Sequence, residues 1–435
     1  MKTCYYILPV ALLLGSCTQT RIKIEEEFDI FIRSDSPVSI DANIGAGLRE
    51  TASANKLALM NKHGEMIPVQ TDANNRKLTA ILPEDVTGRY KLVEIPAKSP
   101  DSVGVFFDKA SGQFLFFEGD RQILKYNYNT VYEDDVVRPD NDTAEIRFDK
   151  VTGVYLEEYL KENPEADRKA VHTTSIYAVP RSDYIHPLYG LEGEMLTRDW
   201  PDGGHPHHRG IFWAWPEVEW GSQRGDIYAL QRIFARPVGR VETLNGPVFA
   251  QLLADNLWMW EDSIPIVRET AVIRVYHSAA ESRTIDITIR LEALKDSITI
   301  ATRGTNSYGA FNARMQTPEM QKISYYTDDQ GSQPRRSWAD FSGIFRGGSE
   351  TSGMLILQHR ENPEYPGPWQ EYPNLSWIQP VFPSHNTRYP VKLNGPLILR
   401  YRLIIHKGST PSAPVSETRW DAYNSIIAPR FSFGN

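Results

Sequence analysis

Alternation of apolar and polar residues constrains the fold of this chain more than any other feature of its sequence. Residues 285–291 carry isoleucine or leucine at every second position, and residues 397–405 repeat the pattern with leucine, tyrosine and isoleucine. A period of two is typical of half-buried antiparallel strands, because successive side chains point to opposite faces. Helical periodicity is scarce, and the 29 glycines and 29 prolines mark turns. The sequence therefore predicts an all-β fold, built as sandwiches or as a large two-sheet stack.

The distribution of strand patterns predicts two β domains. Several short strand patterns within residues 31–97 are enough for a small N-terminal β-sandwich. Residues 97–102 have the composition of a linker, and a larger β domain is expected over residues 103–410. Within it, residues 153–170 have the pattern of a short surface helix. Residues 411–435 are predicted to be a C-terminal tail with a short helix.

The N-terminus has the pattern of a bacterial lipoprotein signal. Lys2 precedes a short apolar stretch and the sequence Leu-Gly-Ser-Cys17, so residues 1–16 are predicted to be a signal peptide. The alternative is a buried strand that happens to end in cysteine. If the signal is removed, Cys17 becomes the lipid-bearing first residue and residues 17–30 become a tether. Cys4 is then lost, so no disulfide can form within the chain.

Charge and hydropathy limit the membrane and nucleic-acid interactions that are expected of this chain. No other segment offers the roughly 20 apolar residues that a membrane span needs, so membrane contact is expected only through the lipid anchor. The residues after Cys17 lack the acidic pattern of outward-exported lipoproteins, which favours the outer membrane facing the periplasm. Loss of Lys2 changes the formal charge from −8 to −9, which disfavours nucleic acid as a partner. The oligomeric state is left open.

The densest cluster of reactive groups lies at residues 205–209. His205, His207, His208 and Arg209 occur within five residues, in a chain with only ten histidines. On an extended strand His205 and His207 would share one face and His208 would point to the other. Pro206 places the segment at a strand entry, an edge or a loop, where binding residues are common. Imidazoles transfer protons near neutral pH, and Arg209 can bind a carboxylate.

The pattern leaves three roles open for these histidines. They could perform acid–base or binding work without a metal. His205 and His207 could instead ligate a divalent metal, with a third ligand from His186 or His359. They could also make only buried hydrogen bonds. No cofactor is predicted, although the segment could bind a divalent metal.

Carboxylates and a further imidazole lie close upstream. His186, Asp199 and Asp202 could supply the paired acid and base groups that proton abstraction or glycosidic cleavage requires. Alternatively, Asp199 and Asp202 could only organise turns. The sequence does not separate these two interpretations.

Other polar and aromatic residues are candidates for binding substrate. Six of the ten tryptophans lie between residues 200 and 260, and an exposed one could stack on a sugar ring, whereas a buried one would be core. The predicted substrate-binding residues, collected from strands and strand ends, are Trp213, Trp215, Arg314, Asp340, His359 and Trp369. Walker-type loops, dinucleotide glycine fingerprints and Gly-x-Ser-x-Gly elbows are missing, so the sequence gives no support to nucleotide-driven or serine-hydrolase chemistry.

Several of these segments resemble the bacterial PmoA-like family, also labelled "methane oxygenase PmoA". The matching segments are residues 184–189, 196–201, 205–215, 308–311, 338–343 and 359–363. The resemblance covers about residues 110–410, and it implies a galactose mutarotase-like β-supersandwich that serves glycan breakdown. The genuine methane monooxygenase subunit crosses the membrane several times, whereas this sequence has no span, so an oxygenase activity is discarded.

The leading hypothesis is an exported lipoprotein that acts on a carbohydrate. The histidines of residues 205–208 would move protons at a ring carbon. Arg209 or Arg314 would hold a carboxylate or hydroxyl, with Asp199 or Asp340 as a partner. Lyase, hydrolase and epimerase reactions all need such groups, and the sequence does not rank them. The alternatives are a non-catalytic glycan-binding lipoprotein and a metal-dependent enzyme.

Overall fold

Strands dominate the described part of the chain. The computed structural model describes residues 27–30, 36–41, 56–72, 77–83, 88–96, 103–132, 136, 161–165, 179–200, 205, 207–326 and 337–427. The predicted signal peptide, Cys17 and the predicted linker lie outside these residues. Within them, no helix is both long enough and apolar enough to cross a membrane.

The strands are numbered in chain order. The N-terminal strands are β1 (Glu27–Ile30), β2 (Pro37–Asp41), β3 (Leu57–Asn61), β4 (Met66–Pro68), β5 (Gln70–Thr71), β6 (Lys77–Ile81) and β7 (Gly88–Glu94). They are followed by β8 (Val103–Asp108), β9 (Gln113–Glu118), β10 (Arg121–Asn127), β11 (Tyr184–Leu188), β12 (Ile211–Ala214), β13 (Glu217–Trp220), β14 (Gln223–Gly225), β15 (Ile233–Leu244), β16 (Phe249–Trp260), β17 (Ile264–Tyr276) and β18 (Ser282–Ala293). The C-terminal strands are β19 (Ile298–Ala301), β20 (Ala310–Arg314), β21 (Glu319–Tyr326), β22 (Trp338–Ile344), β23 (Ser352–Gln358), β24 (Trp369–Tyr372), β25 (Trp377–Pro380), β26 (Tyr389–Val391), β27 (Leu397–Lys407) and β28 (Ile426–Ile427). The helical elements of the described residues include α1 (Ala413–Asn424) and two short 3-10 helices, Arg303–Thr305 and Pro373–Leu375.

Two eight-stranded antiparallel sheets form the main body, which confirms the predicted all-β sandwich. The first, called the site sheet below, has the strand order β24-β25-β20-β12-β11-β10-β9-β8. The second, the back sheet, has the order β15-β16-β17-β18-β27-β23-β22-β21. A single apolar core lies between their inner faces and extends into a smaller sheet with the order β14-β13-β19-β26.

The predicted alternation explains how the back sheet buries one face. Ile285, Ile287 and Ile289 are fully buried in the core, and they lie opposite Leu403, Tyr401 and Leu399 of β27. Residues directly opposite in a sheet share a face, so the two apolar rows form one continuous surface. This confirms the strand assignment made from the sequence pattern.

A small sandwich of two four-stranded sheets precedes the main body. The sheets have the orders β1-β7-β3-β4 and β28-β2-β6-β5, around a separate apolar core. β1 begins at Glu27, inside the predicted tether. β28, from the predicted tail, pairs in parallel with β2, and Ala422 and Ile427 join the small core. The C-terminal tail therefore completes the N-terminal module.

The small sandwich and α1 cover the outer face of the back sheet. Arg402 forms an ion pair with Asp286, donates from Nη1 to the carbonyl of Pro37 at 3.0 Å, and lies 4.4 Å from the ring of Tyr423. The helix begins at Ala413, within the predicted C-terminal tail. Of the predicted helix over residues 153–170, the described part contains a helical turn at residues 161–162.

Candidate functional site

The histidine segment lies on the outer face of the site sheet. In β12, Trp213 lies opposite Phe311 and points toward the back sheet, where its indole donates to Glu269. Phe212 therefore points outward, together with its opposite residue Asn312. Arg314 is two residues further along β20 on the same face, and Trp377 of β25 lies opposite it. The outward face of β12, β20 and β25 is thus the floor beneath the histidines.

A tight turn brings the three imidazoles together. The backbone N–H of His208 donates to the carbonyl of His205 at 3.1 Å, so the segment is not an extended strand. The ring centroids are 4.5 Å apart for His207 and His208, 4.9 Å for His205 and His208, and 5.8 Å for His205 and His207. One potential ligand atom on each ring lies within 4.8 Å of the other two. The expectation that His208 would point away from the other two was wrong, because the turn replaces the two-residue alternation of a strand.

Gly210 makes this turn possible. Its φ is +55°, which glycine adopts readily, and a Cβ there would lie 2.2 Å from the carbonyl oxygen of Ile185. The backbone of the histidine segment can therefore approach β11 closely only with glycine at this position.

Aromatic rings form a wall beside the histidines, called the aromatic wall below. Trp377 stacks on His208 at 5.6 Å, and Tyr372 stacks on Trp377 at 4.8 Å. Tyr308 contacts the edge of Trp377 at 5.7 Å, and Tyr228 contacts Tyr308 at 5.0 Å. Tyr228 and Trp377 are buried, whereas Tyr308 and Tyr372 are half-buried. The wall therefore has a buried base and partly exposed edges.

Arg181 fastens the elements around the cluster. Its guanidinium donates to the carbonyls of Ile227 and Tyr228 at 3.0 Å each and of His207 at 3.4 Å. It also lies 4.6 Å above the ring of Phe212. Burial, together with the neighbouring charge of Arg209, lowers the pKa of Arg181 to about 10. Arg181 thus holds the histidine turn against the segment that carries Tyr228.

The surroundings favour a neutral imidazole at His208. Burial lowers its pKa well below the ordinary value, and the nearby His207, Arg314, His205 and Arg181 lower it further. Its Nδ1 is buried and has no hydrogen-bond partner among the described residues. Buried polar atoms normally have partners, and those without one commonly mark a binding role or a bound water or ion. His205 is half-buried, and so is the most accessible ring of the three.

Asp199 and Arg209 form a buried ion pair. Arg209 donates from Nε to the Asp199 carboxylate and from Nη2 to the Tyr184 hydroxyl at 2.6 Å, and it lies 3.9 Å above the ring of Trp200. Tyr184 donates to Asp199 at 2.9 Å. Both side chains are enclosed, and the charge of Arg209 keeps the pKa of Asp199 below its usual range although burial raises it. The catalytic roles predicted for both residues do not fit this placement.

His186 is also separate from the cluster. Its Nδ1 lies 3.0 Å from the hydroxyl of Thr197, and its backbone carbonyl accepts from Asn127 at 2.8 Å. The ring is buried, and the group of converging histidines consists of His205, His207 and His208. His208 therefore replaces His186 and His359 as the third member of the predicted cluster.

The predicted tryptophan platforms are core residues. Trp213 donates to the Glu269 carboxylate of the back sheet, and Trp215 donates to the carbonyl of Phe382 at 2.8 Å. Trp369 is also buried and contacts Tyr325 edge-on at 6.0 Å. None of the three offers an open face to a sugar, because their rings face the sandwich interior.

Asp340 and His359 lie on the other side of the molecule. Asp340 is on the outer face of the back sheet, since its neighbour Phe341 is in the core. It accepts from His406 and from Thr410, both at 2.8 Å. His359 contacts Tyr423 of α1 at 4.8 Å, and burial lowers its pKa to about 4. The fold therefore separates both predicted substrate-binding residues from the histidines.

The structure brings Arg314 to the cluster, as predicted, and adds residues that the sequence analysis did not select. These are Arg181, Tyr228, Tyr308, Tyr372 and Trp377. Tyr308 belongs to one of the segments that resemble the PmoA-like family. The others carry no local motif, because pairing between distant strands brings them together.

Comparison with solved structures finds remote similarity. One match is a GH36 alpha-galactosidase from Geobacillus stearothermophilus in complex with raffinose, with 10% sequence identity and a TM-score of 0.29. The match covers 73% of this chain and 42% of the galactosidase chain, so this chain corresponds to less than half of that enzyme. A TM-score this low carries no argument about fold or function.

No curated protein matches this sequence. A family model does match residues 169–421, a range that contains the histidine turn and the residues of the aromatic wall. The chain therefore belongs to the family of unknown function DUF6807.

Proposed function

We propose that this protein is an exported lipoprotein that acts on a carbohydrate, with His205, His207 and His208 at its catalytic centre. The observation that supports the proposal most is the convergence of three imidazoles beside the aromatic wall. Aromatic rings with an accessible face or edge suit the apolar surface of a sugar ring, and imidazoles suit proton transfer near neutral pH. The resemblance to the PmoA-like family points to the same substrate class.

The two sides of the site would have different roles, because the aromatic wall would contact the sugar and the histidines would transfer protons. Tyr308 and Tyr372, the half-buried members of the aromatic wall, would contact the sugar from one side. His205, the most accessible imidazole, would exchange a proton with a carbon-bound hydrogen or a glycosidic oxygen from the other. Arg314 would stabilise negative charge on a carboxylate or an enolate, because its cationic side chain lies close enough to lower the pKa of His208. Lyase, hydrolase and epimerase reactions all use this set of groups.

A substrate panel tests the proposal. The purified protein is incubated with polysaccharides and keto-sugars, and reducing ends, ultraviolet absorbance and sugar stereochemistry are measured. We expect one class to gain reducing ends, to develop the absorbance of an unsaturated sugar, or to change configuration. No change across the panel, together with no sugar binding by calorimetry, would contradict the proposal.

A non-catalytic glycan-binding protein is the rival function, and it predicts a different response to mutation. Binding alone needs the aromatic wall but not three converging imidazoles. In an enzyme, His205→Ala would remove turnover and largely retain affinity for the sugar. In a binding protein, the same variant would bind the sugar normally and the wild type would show no turnover.

The lipoprotein part of the proposal has its own test. Mass spectrometry of the protein from bacterial membranes should find Cys17 as the first residue, with diacylglycerol on its sulfur. Cys17→Ala should release the protein from the membrane fraction. A chain that still begins at Met1 and carries no lipid would contradict this part alone.

A further inference from the structure

We infer that His205, His207 and His208 bind one divalent transition-metal ion at the base of the aromatic wall. The inference deepens the proposed function, because it rests on the same cluster and names the group that would act there. It also goes beyond that function, because an ion can bind whether or not the protein acts on sugars.

The geometry of the cluster is close to that of a three-histidine site. Ligands about 2.0–2.1 Å from zinc in a tetrahedral site lie roughly 3.3 Å from one another. The three potential ligand atoms here lie within 4.8 Å of one another, so they must close by about 1.5 Å or less. The His205 ring is half-buried on a turn, and rotation about its side chain can supply much of this movement.

The donor set favours particular ions. Imidazole suits zinc, copper, iron and nickel, whereas calcium and magnesium prefer oxygen ligands. Three protein ligands with one open position are typical of catalytic zinc sites, while structural sites are closed by a fourth protein ligand. The described part of the cluster holds three histidines, and His205 is its most accessible member. A bound ion would supply an acidic water or a Lewis acid next to the aromatic wall, and this water would then exchange the proton in place of the coordinated His205.

A buried nitrogen at the cluster gives independent support. Nδ1 of His208 lies within the protein without a hydrogen-bond partner among the described residues. His207 and Trp377 hold the His208 ring from two sides, at 4.5 and 5.6 Å between centroids. The fold thus positions this imidazole by ring contacts and leaves one of its nitrogens unsatisfied, as a metal ligand would require.

Two guanidinium groups near the cluster oppose a bare cation. Arg181 donates to three backbone carbonyls, and Arg314 lies on the floor opposite Trp377. Their positive charges stabilise an anion that is bound to the metal ion, such as hydroxide or a sugar carboxylate. We therefore expect an acidic ligand and the metal to bind better together than either does alone.

Metal titration of the purified protein tests the inference. Protein purified without chelator is analysed for metals, stripped, and titrated with zinc and with cobalt, whose absorption spectrum reports tetrahedral nitrogen ligands. We expect one equivalent of ion per chain. His205→Ala should weaken binding by more than about 100-fold, because loss of a direct ligand exceeds the roughly 10- to 100-fold effect of outer-shell changes. His63→Ala, which changes an exposed histidine of the small sandwich, is the matched control and should bind normally.

The outcomes separate the metal from the proposed function. Less than about a tenth of an equivalent of any ion, or equal binding by wild type and His205→Ala, would overturn the metal site. His205→Ala is preferred to His208→Ala because His208 packs against Trp377 and its removal can perturb folding. Tight metal binding without activity on any sugar would reject the proposed function and keep the site. Sugar turnover by a protein that binds no ion would reject the site and keep the proposed function.

Discussion

The two large sheets carry buried histidines on opposite faces of the molecule, and these histidines have different surroundings. On the back sheet, His406 lies 2.8 Å from the Asp340 carboxylate, which also accepts from Thr410. On the site sheet, the imidazoles of His207 and His208 lie against each other and against aromatic rings. The first arrangement satisfies its polar groups within the fold, whereas the second leaves a buried nitrogen of His208 unpaired. We therefore expect the first histidine to contribute to stability and, under the proposed function, the second group to contribute to activity.

The largest expected effect is on catalysis, and it distinguishes the histidine cluster of the site sheet from His406 of the back sheet. His205→Ala should lower turnover of the sugar substrate by about 10²- to 10⁴-fold, the usual contribution of an acid–base group, with little change in stability. His406→Ala should retain turnover but lose about 1–3 kcal/mol of unfolding free energy, since it leaves Asp340 buried with one partner fewer. Steady-state kinetics and urea unfolding of both variants measure this contrast. Equal losses of activity would show that the two histidines do not differ in role.

The next effect tests whether Arg209 is structural. Asp199→Ala should lower the unfolding free energy by about 3–5 kcal/mol, because it leaves the enclosed guanidinium without its carboxylate. A double variant, Asp199→Ala with Arg209→Met, should recover part of this loss, since the unpaired charge is removed as well. Urea unfolding of the single and double variants provides the measurement. A stable single variant that lost only activity would instead place Asp199 in the catalytic machinery.

The sequence predicted the fold better than the site, for physical reasons. Period-two alternation marks a strand wherever one face is buried, so strands such as β18 and β27 were recognisable. β28 was not, because two isoleucines carry no period, and only its pairing with β2 makes it part of the small sandwich. Local pattern therefore identifies strands but not the partners that complete a sheet.

At the site, the sequence identified the histidines but not their geometry or most of their neighbours. The turn between His205 and His208 reverses the expected direction of one ring. Arg209 had the composition of an anion-binding residue, but Asp199, ten positions away, already neutralises it. Trp377 was missed because it reaches His208 through the pairing of β12 with β20 and of β20 with β25. Such contacts depend on sheet order, which a single sequence does not reveal.

Glu269 and Asp183 form a buried carboxyl pair in the core, and this pair should make the stability of the protein depend on pH. Burial raises the pKa of Glu269 well above its usual range, the neighbouring Asp183 raises it further, and burial also raises the pKa of Asp183. An acid whose pKa is raised on folding stabilises the folded state at low pH, where it is protonated. This contribution is lost as the pH rises from about 4, the ordinary pKa in the unfolded chain, through the pKa in the folded protein. The stability that the core pair contributes should therefore fall as the pH rises above about 4.

Asp183→Asn should flatten this dependence by on the order of 1 kcal/mol. The asparagine oxygen can still accept from Tyr126 and Asn256, and its amide can donate to Glu269, while one buried charge is removed. Asparagine also tolerates the φ of 66° at this position. Urea unfolding at pH 5 and pH 8 measures the effect for both proteins. Parallel losses of stability in the two would show that the pair does not titrate in this range.

The smallest expected effect concerns the edge of the aromatic wall. Tyr372 is half-buried at the margin of the core, where it stacks on Trp377 and lies near Ser307, so its exposed part can contact a sugar. Tyr372→Ala should weaken sugar binding by about 1 kcal/mol, or roughly fivefold, with a smaller effect on the rate of the bound substrate. Tyr132→Ala, which removes a tyrosine that is 59% exposed elsewhere, is the matched control and should bind normally. Equal affinities of the two variants would mean that the sugar approaches His205 without contacting Tyr372, and that the wall supports the histidines only from behind.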